Sequence, residues 1–203
     1  MDQALALSRR LRTAVRDERV LAAIASVPRE RFVIEDERER AYENVALAIE
    51  CGQTISQPIV VARMLELLEL QPDDRVLDVG TGSGYHAALL GRLAGHVWSI
   101  ELHAELSAGA QATLAELGIA NVTCIVGDGS LGLPEHAPFD AINVAAAAGD
   151  EVPPALERQL APGGRLVAPV GTTRQWLVRT RLTDQGLQRE QLDPVRFVPL
   201  VEG

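Results

Sequence analysis

VLDVGTGSGY, residues 76–85, is an apolar run of strand length, then three glycines at alternate positions. It leads directly into YHAALLGRLA, whose apolar residues recur at helical spacing. A strand, a glycine turn and a helix in that order place the glycines at the carboxyl edge of a parallel sheet, where such folds hold ligands. Without a Cβ, glycine lets the chain turn tightly and lets a ligand lie against bare backbone. The spacing is G-T-G-S-G, with Tyr85 standing where the dinucleotide fingerprint wants a third small residue, and this argues against a pyrophosphate cofactor.

Working outward, periodicity predicts a helix over 59–70, a strand over 75–80, a helix over 85–94 and a strand over 97–101. A helix over 104–117, strands over 122–126 and 139–144, a helix over 152–160 and a strand over 166–169 continue the alternation. This is the pattern of an α/β fold with a doubly wound, mostly parallel sheet and right-handed crossovers. Residues 176–182 and 187–201 have no helix between them and read as an antiparallel C-terminal strand pair. At the other end, Leu7, Leu11, Val15 and Ala22 predict one amphipathic helix over 3–24. The segment 29–58 then reads as a long, mostly non-helical arm, and a loop of that length is more often functional than idle. The whole is expected to be one domain: residues 1–58 an N-terminal helix and arm, 59–170 the α/β core, and 171–203 the C-terminal strands.

A chain of 203 residues can bury a substantial core without staples. Nineteen Lys plus Arg against 28 Asp plus Glu give a formal net charge of −9, so neither nucleic acid nor an anionic membrane is an expected partner. The first twenty residues contain no uninterrupted apolar segment of the signal-peptide kind, and no stretch is apolar for long enough to span a bilayer. Two cysteines, Cys51 and Cys124, suggest a reducing compartment, and a cytoplasmic monomer is the simplest expectation. His86, His96, His103 and His136 show no zinc-ligand spacing, so no metal is expected.

Two more strand ends carry candidate ligand groups. Glu101 closes the second strand, where a carboxylate can accept hydrogen bonds from both hydroxyls of a ribose. The third strand ends in Gly127, Asp128 and Gly129, and Asp128 is placed to accept from an adenine amino group. Singly, Glu101 reads equally as a solvated cap and Asp128 as a turn residue; with Asp78 and the glycine loop, the set points to an adenosine-containing ligand.

On V-L-D-V-G-T-G-S-G, Glu101 and G-D-G, the sequence resembles the class I S-adenosylmethionine (AdoMet) methyltransferases, with their Rossmann-like sheet. The resemblance implies AdoMet as cosubstrate and S-adenosyl-L-homocysteine as product. It also implies a cofactor site built from Asp78, Gly80, Thr81, Gly82, Ser83, Gly84, Glu101, Leu102, Gly127, Asp128 and Gly129. Further blocks narrow it: VPRERFV (27–33), AYEN (41–44), GQTISQP (52–58), VARM (61–64), PFDAI (138–142), LAPGGRLVAPVG (160–171) and VRFVPLV (195–201). From about 27 to 201 the chain resembles the protein-L-isoaspartate O-methyltransferases. That family methylates the free α-carboxylate of L-isoaspartyl residues in peptides and damaged proteins, which initiates repair through a succinimide. The resemblance assigns Ser56 to the active site and Thr54, Ile55, Gln57, Val195, Arg196 and Phe197 with it to substrate binding. It also implies that residues 1–58 hold the substrate-site arm, that 59–170 are the cofactor-binding core and that the strands of 171–203 cover the site.

The chemistry asks little of Ser56. A carboxylate acceptor is already ionised at neutral pH, so the residue is expected to position it, not to serve as nucleophile or base. Two departures from the family pattern, Ala48 for proline and Glu50 for glycine, raise the prospect of a carboxylate facing the substrate anion; VAAAAGDEVP (144–153) also differs at the pocket rim. Rival readings are a carboxyl methyltransferase acting on an aspartate of a dedicated peptide, a nonenzymatic AdoMet-binding module and, last, an NAD-dependent oxidoreductase. Cys51 is expected to be a small, partly buried residue, Cys124 a core residue, and Trp98 and Trp176 core fillers.

Overall fold

The computed structural model describes residues 3–201. Its centre is β3 (Arg75–Val79), with β4 (His96–Glu101) and β6 (Phe139–Val144) parallel on either side. Adding β5 (Val122–Val126), β7 (Leu160–Val170), β8 (Gln175–Thr183) and β9 (Gly186–Val195) gives a seven-stranded sheet in the order β5-β4-β3-β6-β7-β8-β9. The first five strands of that order run parallel; β8 and β9 are antiparallel, as the missing helix between them predicts. Apolar side chains pack on both faces. Val76, Val97, Ala141 and Val167 contribute to one cluster, and Leu77, Ile100, Ile142 and Leu166 to the other, as a sheet covered on both sides requires.

The expected N-terminal helix is two helices, α1 (Gln3–Leu11) and α2 (Glu18–Ser26). Asp17 accepts from the N–H groups of Arg19 and Val20 and caps the second, while Glu66 of α3 (Pro58–Leu68) accepts from the N–H groups of Arg16 and Asp17. An aspartate that can satisfy a helix start competes with helix continuation through it. The arm begins with two short 3₁₀ turns, Arg29–Phe32 and Glu35–Arg40. After them comes a small hairpin of β1 (Leu47–Ala48) and β2 (Thr54–Ile55). It delivers the GQTISQP block to the start of α3, where Asn44 Oδ1 accepts from the Ile59 N–H at 3.0 Å.

Other boundaries moved. The helix expected over 152–160 is the single turn α6 (Pro154–Glu157), and β7 takes up residues from 160 onward. The last strand stops at Val195, not Val201: the chain leaves the sheet edge and crosses the strand ends. There the Ala147 N–H donates to the Val198 carbonyl, and the Leu200 N–H to the Ala147 carbonyl, each at 2.8 Å. Cys124 is only half-buried because β5 is an edge strand, and Cys51 is exposed. Trp98 and Trp176 are also half-buried; Trp98 lies against His96, His136 and Phe139 with Arg75 over its ring.

Gly84 opens α4 (Tyr85–Leu93) at φ 93°, and a Cβ there would lie 2.9 Å from the Ala110 Cβ of α5 (Ala104–Glu116). Both a left-handed backbone and a close helix contact exclude a side chain. Gly84→Ala is therefore expected to cost roughly 2 kcal/mol or more, read from chemical denaturation.

Candidate functional site

The site is built on one buried carboxylate. Asp78 is wholly inaccessible, and its cross-strand neighbours in register are Ser99 and Asn143. Ser99 Oγ and Asn143 Nδ2 each donate to it at 2.7 Å, and Thr81 Oγ1 lies 2.7 Å from Ser99 Oγ. Because the Ser99 proton is committed to Asp78, the Thr81 hydroxyl is the donor to Ser99. Burial pushes the Asp78 pKa up to about 6 against the lowering effect of these two donors. Asp78 thus lies beneath the glycine loop and anchors it, instead of standing on a pocket wall.

Glu101 holds the loop from the other side. It is 7% exposed and accepts from the Gly82 N–H at 2.9 Å and the His103 N–H at 3.0 Å. Gly80, at φ 87°, turns the chain out of β3 while its N–H donates to the Ile100 carbonyl at 2.9 Å.

Three compartments follow the carboxyl edge of the sheet. The outer one is walled by Gly80, Gly82, Ile100, Glu101, Leu102 and Gly129 and roofed by residues 198–201. An inner one lies between the loop residues Thr81 to Ser83 and the arm residues Thr54 to Ser56, with Tyr85 and His86 behind. A trough of about 760 Å³ then opens between Ser56, Gln57 and Val60 on one side and residues 194–198 on the other. Thr54 and Ala145 line all three, and Ser56 stands where the inner compartment meets the trough.

Val195, Arg196 and Phe197 therefore do come to the trough, opposite Ser56. They are fixed there by Gln175, whose Oε1 accepts from the Phe197 N–H at 2.6 Å and whose Nε2 donates to the Phe197 carbonyl at 3.2 Å. Gly84 packs against α5, and Gly127 and Asp128 stand off the compartment walls; Asp128 Oδ1 accepts from Ser130 N and Oγ, closing a 3₁₀ turn over Gly129–Leu131. Glu50 and Ala48 are exposed and line none of the three compartments. Cys51 also lies outside them, its Sγ 3.7 Å from a Glu105 oxygen.

Sequence reasoning missed Gln53, Ala145, Ala146 and His86. Ala145 and Ala146 follow β6 at the same sheet edge as Gly80, Glu101 and Gly129, so strand-end position was a usable signal for them. His86 gave none, because its neighbours come from distant segments. Among the described residues, no group of three His, Cys, Asp or Glu could hold a metal ion, and no helix is long and apolar enough to cross a membrane.

The sheet order, the glycine loop held by the strand-end carboxylate of Glu101 and the adjoining trough define a class I AdoMet-dependent methyltransferase. Residues 2–203 match the family model described as protein-L-isoaspartate(D-aspartate) O-methyltransferase, and the chain belongs to that family. A protein-L-isoaspartate O-methyltransferase of Koribacter versatilis is 53% identical over 203 residues, covering 99% of this chain and 91% of the relative. One from Anaeromyxobacter dehalogenans is 56% identical over 92% of this chain and 90% of its own length. Among solved structures, a protein-L-isoaspartate O-methyltransferase superposes with a TM-score of 0.87 at 31% identity, over 96% of this chain and 64% of that one. A Plasmodium falciparum member in complex with S-adenosyl-L-homocysteine gives 0.85 at 26% identity, over 98% and 99%.

The Asp78 pKa sets a pH test. Between the unfolded value near 3.9 and about 6, the folded state holds more protons than the unfolded one, so this group's contribution to stability falls as pH rises through that window. Asp78→Asn removes the slope. The stability of the variant relative to the parent is expected to rise by up to about 3 kcal/mol between pH 4 and pH 7, measured by urea denaturation at each pH.

Proposed function

We propose that this chain transfers the methyl group of AdoMet to the free α-carboxylate of an L-isoaspartyl residue in a peptide or damaged protein. The observation that carries this is the trough. Among the described residues that line it there is no carboxylate, and Arg196 is the one charged group. Gln57 and Val60 bring the start of α3 to its wall, and the partial positive charge of a helix N-terminus favours an anion.

The residues present suit the cosubstrate. Glu101 would offer its buried carboxylate to the ribose, Gly129 and Leu102 of the same compartment would flank the adenine end, and the loop residues Thr81 to Ser83 would border the methionine end. AdoMet supplies an electrophilic methyl on a sulfonium when bound. The acceptor is an anion at neutral pH and needs no general base; Ser56 Oγ holds it at the junction of the inner compartment and the trough. Residues 194–198 lie opposite, and a peptide bound between the two walls would displace water and leave the carboxylate desolvated and more reactive. The following backbone nitrogen can attack the carbonyl carbon of the methyl ester and expel methanol, giving a succinimide whose hydrolysis regains an aspartyl linkage. Glu50 and Ala48 stand outside the trough, which favours this general repair reading over an altered substrate preference. The two free thiols fit a cytoplasmic setting.

Labelled AdoMet offered to two peptides that differ only in an isoaspartyl or aspartyl residue should label the isoaspartyl peptide alone, in a base-labile form. Labelling of neither, or of both equally, would reject the proposal. Ser56→Ala is expected to lower turnover at least about tenfold with AdoMet affinity nearly unchanged, since one charge-assisted hydrogen bond is worth about 1.5 kcal/mol or more. Glu101→Ala should instead weaken AdoMet binding by about 1.5 to 3 kcal/mol, measured by titration calorimetry.

A further inference from the structure

The cleft continues past the trough. A second groove, of about 770 Å³, lies between the tail and the turn that joins β7 to β8, with Trp176 and Leu200 among its apolar residues. Pro194, Val195, Arg196 and Phe197 line both, so groove and trough adjoin along one shared wall. Arg174 and Arg196 are the charged residues of the groove, and no carboxylate lines it among the described residues; Asp150 and Glu151 follow Gly149 in the chain but stay out of the lining.

Both arginines are exposed, and neither side chain makes an ion pair or hydrogen bond with a described residue. β8 and β9 pair as far as Gln175 and Val195, so Arg174 and Arg196 are the next positions on the two chains. Like charges at facing positions repel, and in a chain of formal net charge −9 these two stand without a counter-ion among the described residues. The opposite way out of the trough differs. It passes between α3 and β9, where Ile59, Val60 and Leu177 give an apolar lining and Arg63 is already paired with Asp193, Nε to Oδ2 at 3.1 Å. Of the two exits, the one at the β7–β8 turn offers uncompensated positive charge.

We propose that this groove receives one flank of the acceptor polypeptide, and that Arg174, beside Arg196, selects acceptors with acidic side chains on that flank. This rests on the methyl-transfer reading above and adds a specificity-determining residue to it. An acceptor residue within a polypeptide has chain leaving it on both sides, and the groove is the continuation of the trough on one of them. Arg174 lines neither the trough nor the compartments beside the glycine loop, so its charge acts on how the acceptor docks and not on the transfer step. Because both arginines are exposed, their attraction is modest and is screened by salt.

The test uses isoaspartyl peptides of one sequence in which the residues just before, or just after, the isoaspartyl are either Glu or Gln. Methyl transfer from labelled AdoMet is measured at low and at high salt. The parent should show a kcat/KM about three- to fivefold higher for Glu than for Gln on one side of the isoaspartyl residue and not on the other, carried by KM and lost at high salt. Arg174→Gln should reduce that ratio to about twofold or less, and Arg174→Glu to about one or below, while kcat for the Gln peptides stays at the parent's value. A ratio near one in the parent, the same ratio on both sides, or a ratio unchanged in Arg174→Glu would overturn the assignment. So would a fall in kcat for every peptide, which would place Arg174 in the transfer step, or a dimer in sedimentation that Arg174→Glu dissociates, which would give the groove to a second copy of the chain. If no isoaspartyl peptide is methylated, the activity reading falls and this inference with it, whereas methylation without a charge preference sinks only the inference.

Discussion

A carboxylate in the middle of a parallel sheet is the constraint on which the site depends. Asp78 sits between Ser99 and Asn143 in register, so three adjacent strands are tied by side chains as well as by their backbone ladders. The chain of donors runs on to Thr81 in the glycine loop. Removing an anion from water is costly unless it is hydrogen-bonded, and the upward shift to about 6 shows that two donors do not cancel the cost. What this cost secures is a fixed geometry. The loop cannot drift from the strand ends without unpairing a buried charge, and Glu101 restrains it a second time through the Gly82 N–H.

On that base the protein assembles its cleft from its two ends. The arm reaches the sheet edge through the β1–β2 hairpin and hands over to α3, whose N-terminus is satisfied by Asn44. The tail arrives from β9 and is pinned by Gln175 and by the main chain of Ala147. Neither segment is part of the sheet, yet each supplies a wall of the trough. The division suits the chemistry. In the proposed reaction the rigid strand ends would hold a cosubstrate of fixed shape, and the irregular segments would meet a polypeptide acceptor whose flanking residues vary. Electrostatics separates the regions as well: the carboxylate of Glu101 borders the outer compartment, while the trough has Arg196 and a helix N-terminus.

Much of this was legible from residues alone. The strand, glycine turn and helix of 76–85 settled the fold class because their order admits one arrangement, and Glu101 was found because strand ends in such sheets share one edge. Ser56, Thr54, Gln57 and Arg196 came from the likeness of the GQTISQP and VRFVPLV blocks to a family. Local chemistry set the boundaries that moved: Asp17 caps a second helix, Pro153 and Pro154 fix the start of α6, and the tail leaves β9 at Val195.

Only tertiary structure decided what each polar residue does. Asp78 and Glu101 are both strand carboxylates, yet one is enclosed by Ser99 and Asn143 and the other borders a pocket. Asp128 turned inward to Ser130, and Glu50, suspect beside the substrate block, faces outward. His86 looked like one more residue of a helix, and the fold buries it against the Val61 main chain near Arg29. The sequence by itself determined the periodicity and the order of elements, because these depend on neighbours along the chain. Side-chain direction, burial and charge environment depend on residues tens of positions away, and only the folded packing brings those together.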